Sequence, residues 1–166
     1  MRHIISILLQ NEAGALARVA GMFSTRGYNI ESLTVAPTHE STVSRLTLVT
    51  TGSDAVIDQI IKQSRKLVDV VEITDLTGRD HLECELAMLK VEVDPKGARQ
   101  VVECVRRHRA AVLDETATTR TLQLTGTGAE VNEFLEEIGG IARIIELVRS
   151  GTAALECGAG ALSTPV

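Results

Sequence analysis

The chain has 166 residues, 44% of them hydrophobic but only 2% aromatic, and a formal net charge of −5. That length admits one ordinary domain or two small ones, and a core of Val, Ile, Leu and Ala around Phe23, Tyr28 and Phe134. The acid excess argues against a dedicated nucleic-acid binder, and the lack of any run of about 18 apolar residues excludes a spanning helix.

The run Ile4 to Leu9 is nearly continuously apolar and reads as a strand, too short for a signal peptide; the chain is expected to be soluble and cytoplasmic. Leu16, Val19, Ala20 and Phe23 fall at i, i+3, i+4 and i+7, one face of a helix that ends near Arg26 and Gly27. Ile30 to Val35 reads as a strand, and Pro37 with the polar stretch Thr38 to Thr42 as a turn. Leu46 and Leu48 mark the next strand. Gly52, Ser53 and Asp54 open a helix with a stripe of Val56, Ile57, Ile60 and Ile61, and Val68 to Leu76 closes the half.

The polar stretch Thr77 to Glu83 reads as a domain boundary. The same plan then repeats at an offset of roughly 75 residues. Leu86 to Val93 is a strand, Asp94-Pro95 opens a helix with a stripe of Val101, Val102 and Val105, and Ala110 to Glu115 and Arg120 to Thr125 are strands. Gly126-Thr127-Gly128 starts a helix carrying Val131, Phe134, Leu135 and Ile138, which Gly139-Gly140 ends, and Ile141 to Val148 is the last strand. The expected fold is therefore α+β: two tandem ferredoxin-like βαββαβ units, each an antiparallel sheet with both helices on one face. The expected division is 1–77, a linker at 78–84, a second unit at 85–150, and a Gly-, Ala- and Ser-rich tail at 151–166 with no assignable element. Such small units leave a sheet face and edges open, so pairing between units or in a homodimer is expected.

Two turns carry the functional signal. Asn11 to Gly14 joins a strand to a helix, and Gly27 to Asn29 returns that helix to a strand. A loop that opens a helix presents unpaired N–H groups suited to a carboxylate. Gly14, without a Cβ, permits close backbone approach, and Asn11 and Asn29 offer amide hydrogen bonds. The bland reading is a helix cap that only satisfies its own N–H groups.

Other features read as structural. Gly126-Thr127-Gly128 lacks the rest of a nucleotide fingerprint and reads as a cap. The run Arg106, Arg107, His108, Arg109 complements a helix C-terminus. His3, His39, His81 and His108 lie in separate segments without metal-ligand spacing to Cys84, Cys104 or Cys157, so no metal is expected. The three cysteines fit reduced thiols, with Cys84 and Cys104 as small hydrophobes. Ser6 and Ser44 have no evident base, and no catalytic residue is expected. An RNA-binding unit of this plan needs exposed aromatics on its central strands, which are absent. A metallochaperone needs C-x-x-C in the first loop, also absent. A hydrolase needs a reactive group at that loop, which holds only Asn, Glu and Gly.

The segments ISILLQNEAGALARV at 5–19, FSTRGYNIESLTVAPT at 23–38 and KLVDVVE at 66–72 closely resemble the small regulatory subunits of acetolactate synthase (acetohydroxyacid synthase). Over 85–150 the likeness is weaker and includes ELVRSG at 146–151. The resemblance implies that the first unit is an amino-acid-sensing ACT domain. It implies that paired copies hold L-valine between the first loop of one and the second strand of the other. It carries the seat onto Asn11, Gly14, Ala15, Leu16, Asn29 and Ile30, with Ala36 at a position linked to valine sensitivity. It also implies a large catalytic subunit as partner, which carries thiamine diphosphate, Mg and FAD and condenses pyruvate with itself or with 2-oxobutyrate toward valine, leucine and isoleucine. This chain would have no cofactor of its own. An ACT regulator that senses another amino acid in another pathway is the alternative.

Overall fold

A computed structural model describes residues 1–164. The chain forms two units: Met1–Leu82 together with the segment from Thr152, and Glu83–Gly151.

The first unit contains β1 (Arg2–Gln10), α1 (Ala15–Thr25), β2 (Ser32–Pro37), β3 (Val43–Thr51), α2 (Asp54–Ser64) and β4 (Val70–Asp75). Its strands lie in the order β2-β3-β1-β4, with antiparallel neighbours. Alternation along the strands decides the faces. Ile5, Ile7 and Leu9 on β1 stand beside Leu48, Leu46 and Ser44 on β3, and Ile7 stands beside Ile73 on β4. Ile5, Ile7, Leu9, Leu46, Leu48 and Ile73 pack with Val19, Met22 and Phe23 of α1 and Ile57 and Ile60 of α2. Phe23 is fully buried and meets Tyr28 edge-on at 6.2 Å.

The second unit repeats the plan with β5 (His81–Glu92), α3 (Ala98–Arg107), β6 (Ala111–Glu115), β7 (Thr119–Gly126), α4 (Gly128–Ile141) and β8 (Arg143–Arg149). Its strand order is β6-β7-β5-β8. Ala87, Leu89 and Val91 of β5 and Leu122 and Leu124 of β7 meet Val101 and Cys104 of α3 and Val131, Phe134 and Ile138 of α4. The expected doubled βαββαβ fold is what the chain adopts.

Several local expectations need correction. Leu16 and Val102 are exposed, not parts of the buried stripes; the stripes are Ala15, Val19, Met22 and Phe23 on α1 and Val101, Cys104 and Val105 on α3. Pro37 belongs to β2, which tolerates it because β2 is an edge strand. Asp94-Pro95 does not open α3: the Asp94 side chain and carbonyl accept from Lys96 and Gly97 N–H groups in a preceding turn. Gly139 and Gly140 lie inside α4, which runs on to Ile141. β5 starts at His81, inside the polar stretch read as a linker, and Cys84 upon it is exposed.

The C-terminal segment is also structured. It forms β9 (Ala153–Glu156), and Ala154 packs with Ile4, Val49 and Leu76 on the face of the first sheet opposite the helices. The Ala154 carbonyl accepts from Arg45 Nη2 at 3.0 Å, and Glu156 pairs with Arg79 at 3.0 Å. A Gly- and Ala-rich sequence carries little periodicity, yet its small side chains fit flat against a sheet. No helix among the described residues is long and apolar enough to cross a membrane.

Candidate amino-acid site at the first loop

The loop between β1 and α1 is pinned on both sides. Asn11 N–H donates to Thr42 C=O at 2.7 Å, and Gln10 N–H donates to Asp69 C=O at 2.8 Å. The Asn11 side chain donates to Ser41 C=O at 2.8 Å and accepts from Ser44 Oγ at 3.1 Å. One amide hydrogen and one lone pair of Asn11 remain for another partner. Gly14 takes the N-cap position of α1 with φ 89°, a left-handed conformation that suits glycine.

This end of α1 is not capped by a side chain, and its first turn contains no acidic residue. The Leu16 and Ala17 N–H groups have no backbone acceptor among the described residues. The positive end of the helix dipole therefore faces outward without a side-chain cap, an arrangement that can receive an anion, with the Glu12 carboxylate beside it.

In front of it lies a cavity of about 240 Å³, lined by Leu9, Gln10, Asn11, Glu12, Ala15, Leu16, Val35, Ala36, Pro37 and Ser44. Four of the seven residues expected at the seat, Asn11, Ala15, Leu16 and Ala36, meet here. Gly14 shapes the loop without lining the cavity. Asn29 and Ile30 lie elsewhere: the Asn29 carbonyl accepts from Thr50 Oγ1 at 2.6 Å, and Ile30 packs against the first core. Ser44 and Thr50 are six residues apart on β3, about 20 Å at roughly 3.4 Å per residue. Within one copy, a small ligand cannot touch both ends.

Arg18 and Asp69 support the loop. The Arg18 guanidinium donates through Nε at 2.5 Å and Nη2 at 2.6 Å to the buried Asp69 carboxylate. That hydrogen bond, followed by the opposite charge, holds the Asp69 carboxyl below its usual range. A bidentate pair fixes orientation as well as distance, so α1 is locked against the approach to β4. Both residues fall within the segments that carry the family resemblance, which was the available signal. Glu12, Val35, Pro37 and Ser44 were not foreseen, because they reach the cavity through loop geometry and cross-strand neighbours.

Residues 5–72 match the AHAS small subunit-like ACT domain family, and residues 84–158 match the family described as small subunit of acetolactate synthase. The chain belongs to the acetolactate synthase small-subunit family. It is 45% identical to the acetolactate synthase isozyme 3 small subunit of Salmonella typhimurium over 158 residues, 95% of this chain and 97% of that one. It is 41% identical to the acetolactate synthase small subunit of Haemophilus influenzae, with 91% and 93% covered. The crystal structure of the acetolactate synthase small subunit from Thermotoga maritima superposes with a TM-score of 0.87 at 30% identity, covering 95% and 98%. The family thus spans both units, and a catalytic large subunit is the partner that a small subunit of this synthase implies.

Two sequence readings in the second unit turn out differently from each other. Thr127 caps α4 as expected, in a capping box with Glu130: the Glu130 N–H donates to Thr127 Oγ1 at 3.3 Å, and the Thr127 N–H donates to Glu130 at 2.7 Å. The reading that no histidine has ligand spacing with a cysteine is corrected. Cys104 on α3 and His108 at its C-cap stand four apart, and Glu137 of α4 joins them. Burial, then the Glu137 charge, pushes the Cys104 thiol up to about 11. The hydrogen bond to His108 leads the effects that hold the Glu137 carboxyl low.

Proposed function

We propose that this chain is the non-catalytic regulatory subunit of acetolactate synthase, which raises the activity of the catalytic subunit and makes it subject to inhibition by L-valine. The observation that carries the proposal is the uncapped N-terminus of α1 facing a small, largely apolar cavity. The valine carboxylate meets the Leu16 and Ala17 N–H groups, and the ammonium meets Glu12 and the remaining Asn11 lone pair. The isopropyl group enters the space between Leu16, Val35 and Ala36. Thiamine diphosphate, Mg and FAD belong to the catalytic partner in the cytoplasm, and this chain contributes no reacting group.

The seat is shared between two copies. β2 is the edge of its sheet, so its outer N–H and C=O groups can pair with another strand. Antiparallel pairing with β2 of a second copy brings that copy's Asn29 back to the Ala36–Pro37 end. Valine inhibits by binding the less active assembly more tightly, which requires coupling of about 1–3 kcal/mol. A pocket of this kind separates side chains that differ by one methylene by only about 10–200-fold, so leucine and isoleucine act weakly.

Titration calorimetry of the full chain with L-valine, with D-valine as control, tests this reading. Saturable binding is expected for the L-form, and loss of binding in Asn11→Ala and in Asn29→Ala. Mixing these two variants creates one intact seat per mixed dimer, so with random pairing binding returns at about a quarter of the parent stoichiometry. Failure to return, or no valine binding with and without the catalytic subunit, overturns the shared seat.

A further inference from the structure

The second unit holds a cluster that the amino-acid seat does not use. Cys104 on α3 and His108, the residue that caps the end of α3, are four apart, with the His108 N–H donating to the Cys104 carbonyl at 3.1 Å, and Glu137 faces them from α4. A cysteine sulfur, a histidine ring nitrogen and a carboxylate oxygen all come within 4.8 Å of one another. Cys104 is fully buried, while the side chains of His108 and Glu137 are 11% and 27% exposed. His108 Nε2 is 2.8 Å from Glu137 Oε2, and Arg107 Nη1 donates to Oε1 at 2.5 Å.

A histidine–carboxylate pair alone would tie α3 to α4. The sulfur beside it changes the chemistry, because thiolate, imidazole and carboxylate together are a zinc donor set. Zinc bond lengths of about 2.3 Å to sulfur and 2.0–2.1 Å to nitrogen and oxygen set tetrahedral donor separations of roughly 3.3–3.6 Å. The present spacings therefore reach coordination through shifts on the order of 1 Å, with the His108–Glu137 contact opening and the sulfur closing in. Thiolate and carboxylate together balance a divalent charge. Arg107 stays on Oε1 and leaves Oε2 for the metal, an outer partner that orients the ligand.

We propose that Cys104, His108 and Glu137 form a site for zinc or a zinc-like divalent cation, with a fourth position open to water. On ligation the thiol proton leaves to solvent and the imidazole takes its Nδ1–H tautomer, so Nε2 presents a lone pair. The ion then bridges α3 and α4 from their facing sides and stabilises the second unit by mass action.

The test uses the full chain carrying Cys84→Ser and Cys157→Ser, which removes the two exposed thiols. It is titrated with cobalt(II) as a spectroscopic probe and then with zinc. Expected are a near-ultraviolet thiolate-to-cobalt band and tetrahedral visible bands that saturate at one cobalt per chain and vanish on zinc addition. The thiolate band disappears in Cys104→Ala. His108→Gln and Glu137→Gln, at less buried positions, weaken binding by on the order of tenfold or more while native circular dichroism is retained. Zinc also raises the melting temperature of the parent chain, and at the same zinc concentration raises that of His108→Gln less. Absence of the thiolate band at millimolar cobalt, or its survival in Cys104→Ala, overturns the site.

Discussion

Replacing Gly14 by Ala probes the geometry on which the amino-acid seat depends. Gly14 sits at φ 89°, where an L-residue crowds its own carbonyl, at a cost of roughly 1–2 kcal/mol. The added Cβ would also lie 2.8 Å from Arg18 Nη1. A free guanidinium would swing aside at little cost. This one is held by Asp69 through two hydrogen bonds at 2.5 and 2.6 Å, so it resists. The total expected destabilisation is about 1–3 kcal/mol, or roughly 4–8 °C of melting temperature per kcal/mol for a unit of this size. Calorimetric and urea unfolding measure it. The two contributions separate in an Arg18→Ala background, where the contact is gone and only backbone strain remains, so the cost of Gly14→Ala falls toward about 1–2 kcal/mol. Equal losses with and without Arg18 would refute the contact, and no loss at all would refute the conformational argument. Gly14→Asp adds a negative charge at the same helix terminus, so valine binding should fall further than in Gly14→Ala.

Asp69→Asn should lower stability near neutral pH. Because Arg18 depresses the folded carboxyl pKa, the contribution is complete above the unfolded value of about 3.9 and fades as pH falls through the lower folded value. The stability gap between parent and variant therefore narrows below about pH 4, and chemical denaturation across acid pH reads it; a gap that widens on acidification contradicts the pairing. Thr127→Ala removes the α4 capping box and should cost about 0.5–2 kcal/mol in urea unfolding, whereas Thr127→Ser should cost far less. Phe134→Ala empties the centre of the second core, where Phe134 is fully buried, and should cost about 3–5 kcal/mol; a loss below about 1 kcal/mol would mean that the site collapses freely.

The repeat and its strands were legible because alternation and 3.6-residue periodicity report which face meets a core. What failed was the edge of each stripe. Leu16 and Val102 satisfy the helical period, but they lie roughly 75° and 100° from the centres of their buried arcs, and a period alone does not set the arc's width. Gly139-Gly140 reads as a stop, yet buried Ile138 and partly buried Ile141 hold that turn of α4 against the core, and tertiary packing outweighs an intrinsic cost near 1 kcal/mol per glycine. The β9 segment was illegible for a different reason: its four residues, Ala153–Glu156, are too few to show an alternation, and only Ala154 is buried against the far face of the first sheet. At the candidate site the loop residues Asn11, Gly14, Ala15 and Leu16 could be read from turn chemistry and family likeness. Val35, Pro37 and Ser44 could not, since their approach depends on the registers of β2 and β3.

The same geometry bears on the proposed sharing of the seat between two copies. A cavity of about 240 Å³ falls short of the roughly 300 Å³ at which ligand pockets begin. It opens beside an unpaired strand edge, and the second asparagine expected at the seat stands about 20 Å away along the sheet. On the proposed two-copy seat these three facts have one cause, because an antiparallel partner encloses the cavity, covers the edge and supplies the asparagine. Linkage then makes valine affinity and self-association a single equilibrium: whatever factor valine adds to dimer strength, the dimer must add to valine affinity. The apparent affinity should accordingly rise with chain concentration until dimerisation saturates, and valine should lower the dimer dissociation constant in sedimentation equilibrium. A valine affinity independent of chain concentration, in a range where the dimer measurably dissociates, would place the whole seat within one copy.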